Sequence, residues 1–130
     1  MAGAVLVDSS WFITLQRSGE DPFLVLGAHA DDHEFLTCGM VLMEVLRGIH
    51  APRLAQRYRE ALGVMVCIPT TSRVWDRSTQ IALALDRRGT PIPPQDSLIA
   101  AHALQANASV LTLDLHFQQI PGLSVLTTLE

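Results

Sequence analysis

Five short apolar runs punctuate the chain: Ala4–Val7, Phe35–Thr37, Val64–Ile68, Val110–Leu113 and Ser124–Leu126. Their length and their Val, Ile, Leu and Phe content predict strands buried on both faces. Helical spacing fills the intervals, predicting helices over Ser10–Arg17, Pro22–Ala30, Met40–Arg47, Pro52–Leu62, Ser72–Arg88 and Asp96–Ala106. In the fifth of these, Val74, Ile81 and Leu85 recur at i, i+7 and i+11 and mark one buried stripe. In the sixth, the alanine-rich "LIAAHALQANA" lets a helix lie close on a sheet. Pro52 suits a first helical turn. Gly48 and Gly89 each follow an arginine at a helix end, where glycine is the usual residue past the last turn. Short apolar strands alternating with helices predict an α/β fold, a parallel sheet of about five strands covered on both faces.

Four carboxylates interrupt this pattern. "AVLVDSSWF" closes an apolar strand on Asp8, and "SVLTLDLHF" does the same with Asp114. Glu44 lies inside the apolar helix "MVLMEVLRG", and Asp96 follows "PIPPQ" to open the apolar helix "SLIAAHAL". Each has a local explanation. Asp8, Asp96 and Asp114 are placed to cap helices or turns. Glu44 can pair with Arg47 one turn on, or face water. Ligands of open α/β sheets, however, bind at the carboxyl ends of strands, where Asp8 and Asp114 fall. Two carboxylates ~4 Å apart at an effective dielectric of ~20 repel by ~4 kcal/mol. A cluster of four therefore needs protons or cations. Hard divalent cations with oxygen ligands fit it, and such a site can activate water for phosphodiester hydrolysis.

Composition narrows the picture without deciding it. A chain of 130 residues predicts a single domain, 1–130, able to bury a core without staples. The 13 acidic and 9 basic residues give a net charge of −4, and every basic residue is arginine. This balance does not suit a protein that coats nucleic acid through bulk charge, though it permits a local basic rim. No apolar run reaches the ~20 residues of a membrane helix. "MAGAVLV" carries no basic segment and runs straight into a strand, so no signal peptide is expected. Cys38 and Cys67 lack metal-ligand spacing and are expected as buried reduced thiols of a cytoplasmic protein.

Taken in order, "VLVDSSWF", "TCGMVLMEVLRGI" and "GTPIPPQDSLIAAHALQANASVLTLDLHFQQIPGLSV" resemble the PIN-domain ribonucleases, most closely the VapC-type toxins of toxin–antitoxin modules. The likeness runs nearly end to end, and the third segment is its most specific part. It implies a PIN-like three-layer α/β/α sandwich. It implies a catalytic, metal-binding set of Asp8, Glu44, Asp96 and Asp114, none of them substituted. Ser9 and Thr112 match the family's small hydroxyl residues and would orient ligands or waters behind the metal site. The family's properties further imply one or two Mg²⁺ ions, with Mn²⁺ as substitute. They imply an RNA substrate cut to a 3′-hydroxyl and a 5′-phosphate, a homodimer, and a small VapB-like antitoxin whose C-terminal segment crosses the groove.

Arg47, three residues after Glu44 on the same helix face, is a candidate phosphate contact as well as a candidate surface ion pair. Arg73, Arg77, Arg87 and Arg88 read as a solvated helix face, and Trp11 and Phe12 as packing or partner contacts. His102 and His116 are expected outside the chemistry, since histidine ligation suits zinc better than Mg²⁺. His29, His33 and His50 have no constellation around them. Two other readings compete: a housekeeping PIN nuclease acting on rRNA or DNA flaps, and a non-catalytic interaction module on the same fold. Intact acids speak against the second, and a single small domain without an added binding module speaks for the toxin. No GxxxxGK[ST] loop and no DxD after the first strand is present, which removes two phosphate-binding classes.

Overall fold

The computed structural model describes residues 3–130. Met1 and Ala2, the first two residues of the expected 1–130 domain, lie outside the described residues. Five parallel strands form one sheet in the order β3-β2-β1-β4-β5. They are β1 (Gly3–Val7), β2 (His33–Cys38), β3 (Val66–Ile68), β4 (Ser109–Leu111) and β5 (Val125–Leu126). Six α-helices connect them: α1 (Ser9–Arg17), α2 (Pro22–Ala28), α3 (Gly39–Arg47), α4 (Pro52–Gly63), α5 (Ser72–Arg87) and α6 (Pro94–Gln105). A short 3₁₀ turn, Leu115–Gln119, follows β4. All five expected strands and six expected helices are present, with ends that agree to within two residues.

The order of strands places β1 at the centre. From it the chain steps outward to β2 and β3 on one side, then returns to lay β4 and β5 on the other. Crossovers that leave β1 in opposite directions put helices on both faces, which makes the three-layer α/β/α sandwich. The reversal leaves a crevice at the carboxyl ends of β1 and β4, which pair through Val5 with Ser109, Leu6 with Val110 and Val7 with Leu111.

Apolar strands and one face of each helix supply the core. Val5, Leu6, Val7, Phe12, Val41, Leu85, Ile99, Val110, Leu111 and Phe117 are all buried. Burying a side chain such as Leu6 fully contributes about 1.5–3 kcal/mol. Helix α6 is buried without interruption from Asp96 to Ala103. Ala100, Ala101 and Ala103 carry no bulk there, so the helix sits tightly among its neighbours. On α5, Val74 and Leu85 are buried as the stripe predicts, Ile81 is half-buried, and Ser78 completes the face with a 3.2 Å hydroxyl contact to Ser97 of α6.

Three expectations need correction. Cys67 is exposed, because β3 is an edge strand; Cys38 is buried, and burial pushes its thiol up to about 11. Gly48 ends α3 at φ −87°, ψ −2°, a right-handed conformation open to any residue. Gly89 does adopt the left-handed φ of +74°. Helix α6 begins at Pro94, so Asp96 is its third residue and not its cap.

Candidate active site

Asp8 occupies the position just before α1, yet its carboxylate caps nothing: no backbone amide of the helix donates to it. It turns instead toward the crevice and accepts three hydroxyls. Ser10 Oγ donates to Oδ2 at 2.7 Å, Thr112 Oγ1 to the same oxygen at 2.8 Å, and Ser9 Oγ approaches Oδ1 at 3.4 Å. The residue is 2% exposed, and these bonds offset the desolvation of its charge. Ser9 and Thr112, expected behind the acids, both contact Asp8. Ser10 was not anticipated. Its hydroxyl also lies 3.1 Å from Thr112 Oγ1 and accepts the Leu113 amide at 3.2 Å. The signal was present in "DSS", where both serines begin a helix beside the strand end.

Glu44 projects from α3, half-buried, and accepts Ser9 Oγ at 3.1 Å. Ser9 therefore bridges two of the four acids. Burial raises the Glu44 carboxyl above its ordinary range; the Ser9 bond opposes this, and the Asp8 charge adds to it. Among the described residues Glu44 makes no ion pair with Arg47. Arg47 is exposed, and its charge reaches Glu44 only as a weaker stabilising influence.

Asp96 and Asp114 meet on the other side of the crevice, joined by a histidine. Asp96 is buried, and burial pushes its carboxyl up to about 6, with a bond from His116 opposing and the charges of Asp114 and Asp8 reinforcing. His116 Nδ1–H donates to Asp96 Oδ2 at 2.8 Å and lies 3.1 Å from Asp114 Oδ1. These bonds, that to Asp96 first, hold the imidazole protonated above its ordinary range. Asp114 does cap locally: the His116 amide donates to its Oδ1 at 2.9 Å, starting the 3₁₀ turn. Thr112 Oγ1 accepts the Asp114 amide at 3.0 Å, which links this half of the site to Asp8.

His116, expected outside the chemistry, is in direct contact with two of the acids. Its signal was the spacing Asp-x-His, which one tight turn closes. His102 keeps the structural role expected of it. It is fully buried, with Nε2 2.8 Å from Thr70 Oγ1 and Nδ1 2.8 Å from the Leu98 carbonyl, and burial lowers its pKa. Trp11 is 5% exposed and packs edge-on against Phe12 at 5.6 Å, so it is a packing residue with no face free for a base.

The donor set suits a divalent cation. Ligand atoms of Asp96, Asp114 and His116 lie within 4.8 Å of one another, and the charges of Asp8 and Asp114 reach both Asp96 and Glu44. Among the described residues no arginine forms an ion pair with any of the four acids. Oxygen-rich, charge-heavy and only partly neutralised, this arrangement suits a hard divalent cation.

Comparison with known proteins gives a consistent picture. The family model for the PIN domain matches residues 5–123. No curated protein sequence matches the chain. Among solved structures, VapBC2 from Rickettsia felis bound to a promoter DNA fragment superposes with a TM-score of 0.80 at 20% identity, covering 95% of this chain and 97% of that one. The DNA-bound VapBC of Salmonella typhimurium gives 0.79 at 23% identity, covering 97% and 98%. VapC20 of Mycobacterium tuberculosis, a toxin that cleaves the sarcin-ricin loop, gives 0.59 at 14% identity, covering 85% and 89%. At these identities the likeness is one of fold.

Proposed function

Because the chain belongs to the PIN-domain family, we propose that it is a metal-dependent endoribonuclease of the VapC toxin type, restrained by a small VapB-like antitoxin. The observation that carries the proposal is that Asp8, Glu44, Asp96 and Asp114 are linked to one another through Ser9, Thr112 and His116, with no arginine ion-paired to any of them among the described residues. Asp8, Asp96, Asp114 and Glu44 would hold one or two Mg²⁺ or Mn²⁺ ions. Such an ion, when bound, supplies activation of water and stabilisation of charge on the phosphodiester.

The chain's own residues do the positioning. Ser10 and Thr112 fix the orientation of Asp8 from two different elements, and Ser9 aligns Glu44 with it. Asp96 is buried on a rigid helix, and Asp114 is locked by its own turn. Ligands mounted this way need little reorganisation. Arg47, exposed one turn beyond Glu44, would meet a phosphate of the RNA. Support for the partner comes from the VapBC complexes among the neighbours and from apolar side chains left in solvent, including Leu24, Trp75 and Leu115. The same surplus supports a homodimer.

The test is cleavage of a defined RNA by purified protein. Cleavage should require Mg²⁺ or Mn²⁺ and stop with chelator. Asp8→Asn, Glu44→Gln, Asp96→Asn and Asp114→Asn should each reduce it strongly, because a neutral amide is a poorer ligand for a hard cation. Full cleavage by Asp96→Asn or Asp114→Asn protein would overturn the four-acid assignment.

A further inference from the structure

We propose that His116 is a nitrogen ligand of the metal site, and that it biases the site toward Mn²⁺ over Mg²⁺. The inference rests on the metal-site reading above and adds to it a fifth residue of different chemistry. Its first support is geometric. Nδ1 of His116 stands 2.8 Å from Asp96 Oδ2 and 3.1 Å from Asp114 Oδ1. Ligands ~2.1 Å from an octahedral ion are ~3.0 Å from their neighbours on its shell. Both separations are those of adjacent ligands, so the three atoms can share an ion with little rearrangement. A cation seated there would replace the contacts that Nδ1 of His116 makes with the two carboxylates.

The second support is local rigidity. The His116 amide donates to Asp114 Oδ1 at 2.9 Å, so the same carboxylate anchors the backbone that carries the imidazole. The next residue, Phe117, is fully buried and pins the turn to the core. His116 itself is 47% exposed on its side chain, and the fold does not depend on it for packing.

The chemical consequence is selectivity. Carboxylate oxygens serve Mg²⁺ and Mn²⁺ alike. Imidazole suits first-row transition metals and adds little for Mg²⁺, which prefers oxygen and keeps its waters. A mixed oxygen and nitrogen shell therefore separates two ions that an all-acid shell would not.

The experiment is direct metal binding on the intact protein, with no RNA present. Mn²⁺ affinity is followed by electron paramagnetic resonance, Mg²⁺ by competition, and spin-echo modulation reports nitrogen bound to Mn²⁺. Wild type should show ¹⁴N modulation from an imidazole, and His116→Ala should lose it. The same substitution should weaken Mn²⁺ by about tenfold or more while changing Mg²⁺ much less. His116→Asp should restore binding without the nitrogen signal and with the Mn²⁺ preference reduced. If His116 serves only as a counter-charge, its removal will tighten both ions, and the proposal falls. Mn²⁺ bound without imidazole modulation would also overturn it, while leaving the four acids in place. Failure of wild type to bind either ion would remove both readings together.

Discussion

Thr112 donates its hydroxyl to Asp8 at 2.8 Å across 104 residues of sequence. The same oxygen accepts the amide of Asp114. One side chain on the end of β4 therefore orients a carboxylate on the end of β1 and fixes a second carboxylate two residues on. Thr112→Val keeps the shape and deletes the hydroxyl. It should cost about 1–3 kcal/mol in a denaturant melt, since a buried carboxylate loses a donor and an amide loses its acceptor. RNA cleavage should fall by about 10–100-fold, the usual effect of losing a group that orients metal ligands. Thr112→Ser should restore most of both. Wild-type cleavage by Thr112→Val would mean that Ser10 alone suffices to hold Asp8.

The pH dependence of the metal-free protein should run opposite to ordinary acid denaturation. Asp96 keeps its proton to about pH 6 in the fold, against about 3.8 ordinarily. The native state thus binds more protons than the unfolded state between those values, and stability falls as pH rises through them. At neutral pH the cost is on the order of 3 kcal/mol. Glu44, also raised, acts in the same sense above its ordinary range. His116 follows at higher pH: its contribution is complete below about 6.5 and is lost as pH rises through its raised value. His102, whose pKa is lowered, opposes this trend below about 6.5. The decisive measurement is the difference between wild type and Asp96→Asn in chelator. Asp96→Asn should melt higher at pH 8 and close to wild type at pH 4. A constant difference across that range would contradict the assignment of the shift to Asp96.

His102 should matter for stability and not for chemistry. It joins the Thr70 hydroxyl to the Leu98 carbonyl inside α6, with no exposed surface. His102→Ala leaves a cavity and removes both bonds, so a loss of about 2–4 kcal/mol is expected. Cleavage per folded molecule should be unchanged below the melting transition. A selective loss of cleavage with an unchanged melt would place His102 in the chemistry after all.

Arg47 should show the converse. It is exposed and makes no ion pair with Glu44, so Arg47→Ala should change stability by less than ~1 kcal/mol. Cleavage should weaken, and Arg47→Lys should recover it only partly if two-pronged phosphate contact is involved. Unchanged cleavage across a salt series would remove Arg47 from the substrate-binding surface.

The acids were legible because each contradicts its setting. Asp8 and Asp114 end apolar strands, Glu44 breaks an apolar helix, and Asp96 opens one, so periodicity itself exposes them. The strands and helices were legible for the same reason in reverse. His116 was not, because its role depends on a turn that folds a two-residue spacing back on itself. Ser10 was passed over because Ser9 and Ser10 are equivalent until the helix starts and aims one at Glu44 and the other at Thr112. The exposure of Cys67 follows from strand order, since an apolar run reads alike in a central strand and at an edge.

Strand β1 is made early, and its neighbour β4 lies about a hundred residues later. Their pairing is a contact of long sequence separation, of the slow-forming kind. On the ribosome, Asp8 and Glu44 emerge well before Thr112 and Asp114 have been synthesised. A nascent chain therefore carries part of a site, with Ser10 on Asp8 but without the Thr112 hydroxyl or the Asp114 carboxylate. On the proposed function, this order of assembly withholds competence from the nascent chain until β4 has been made and has paired with β1.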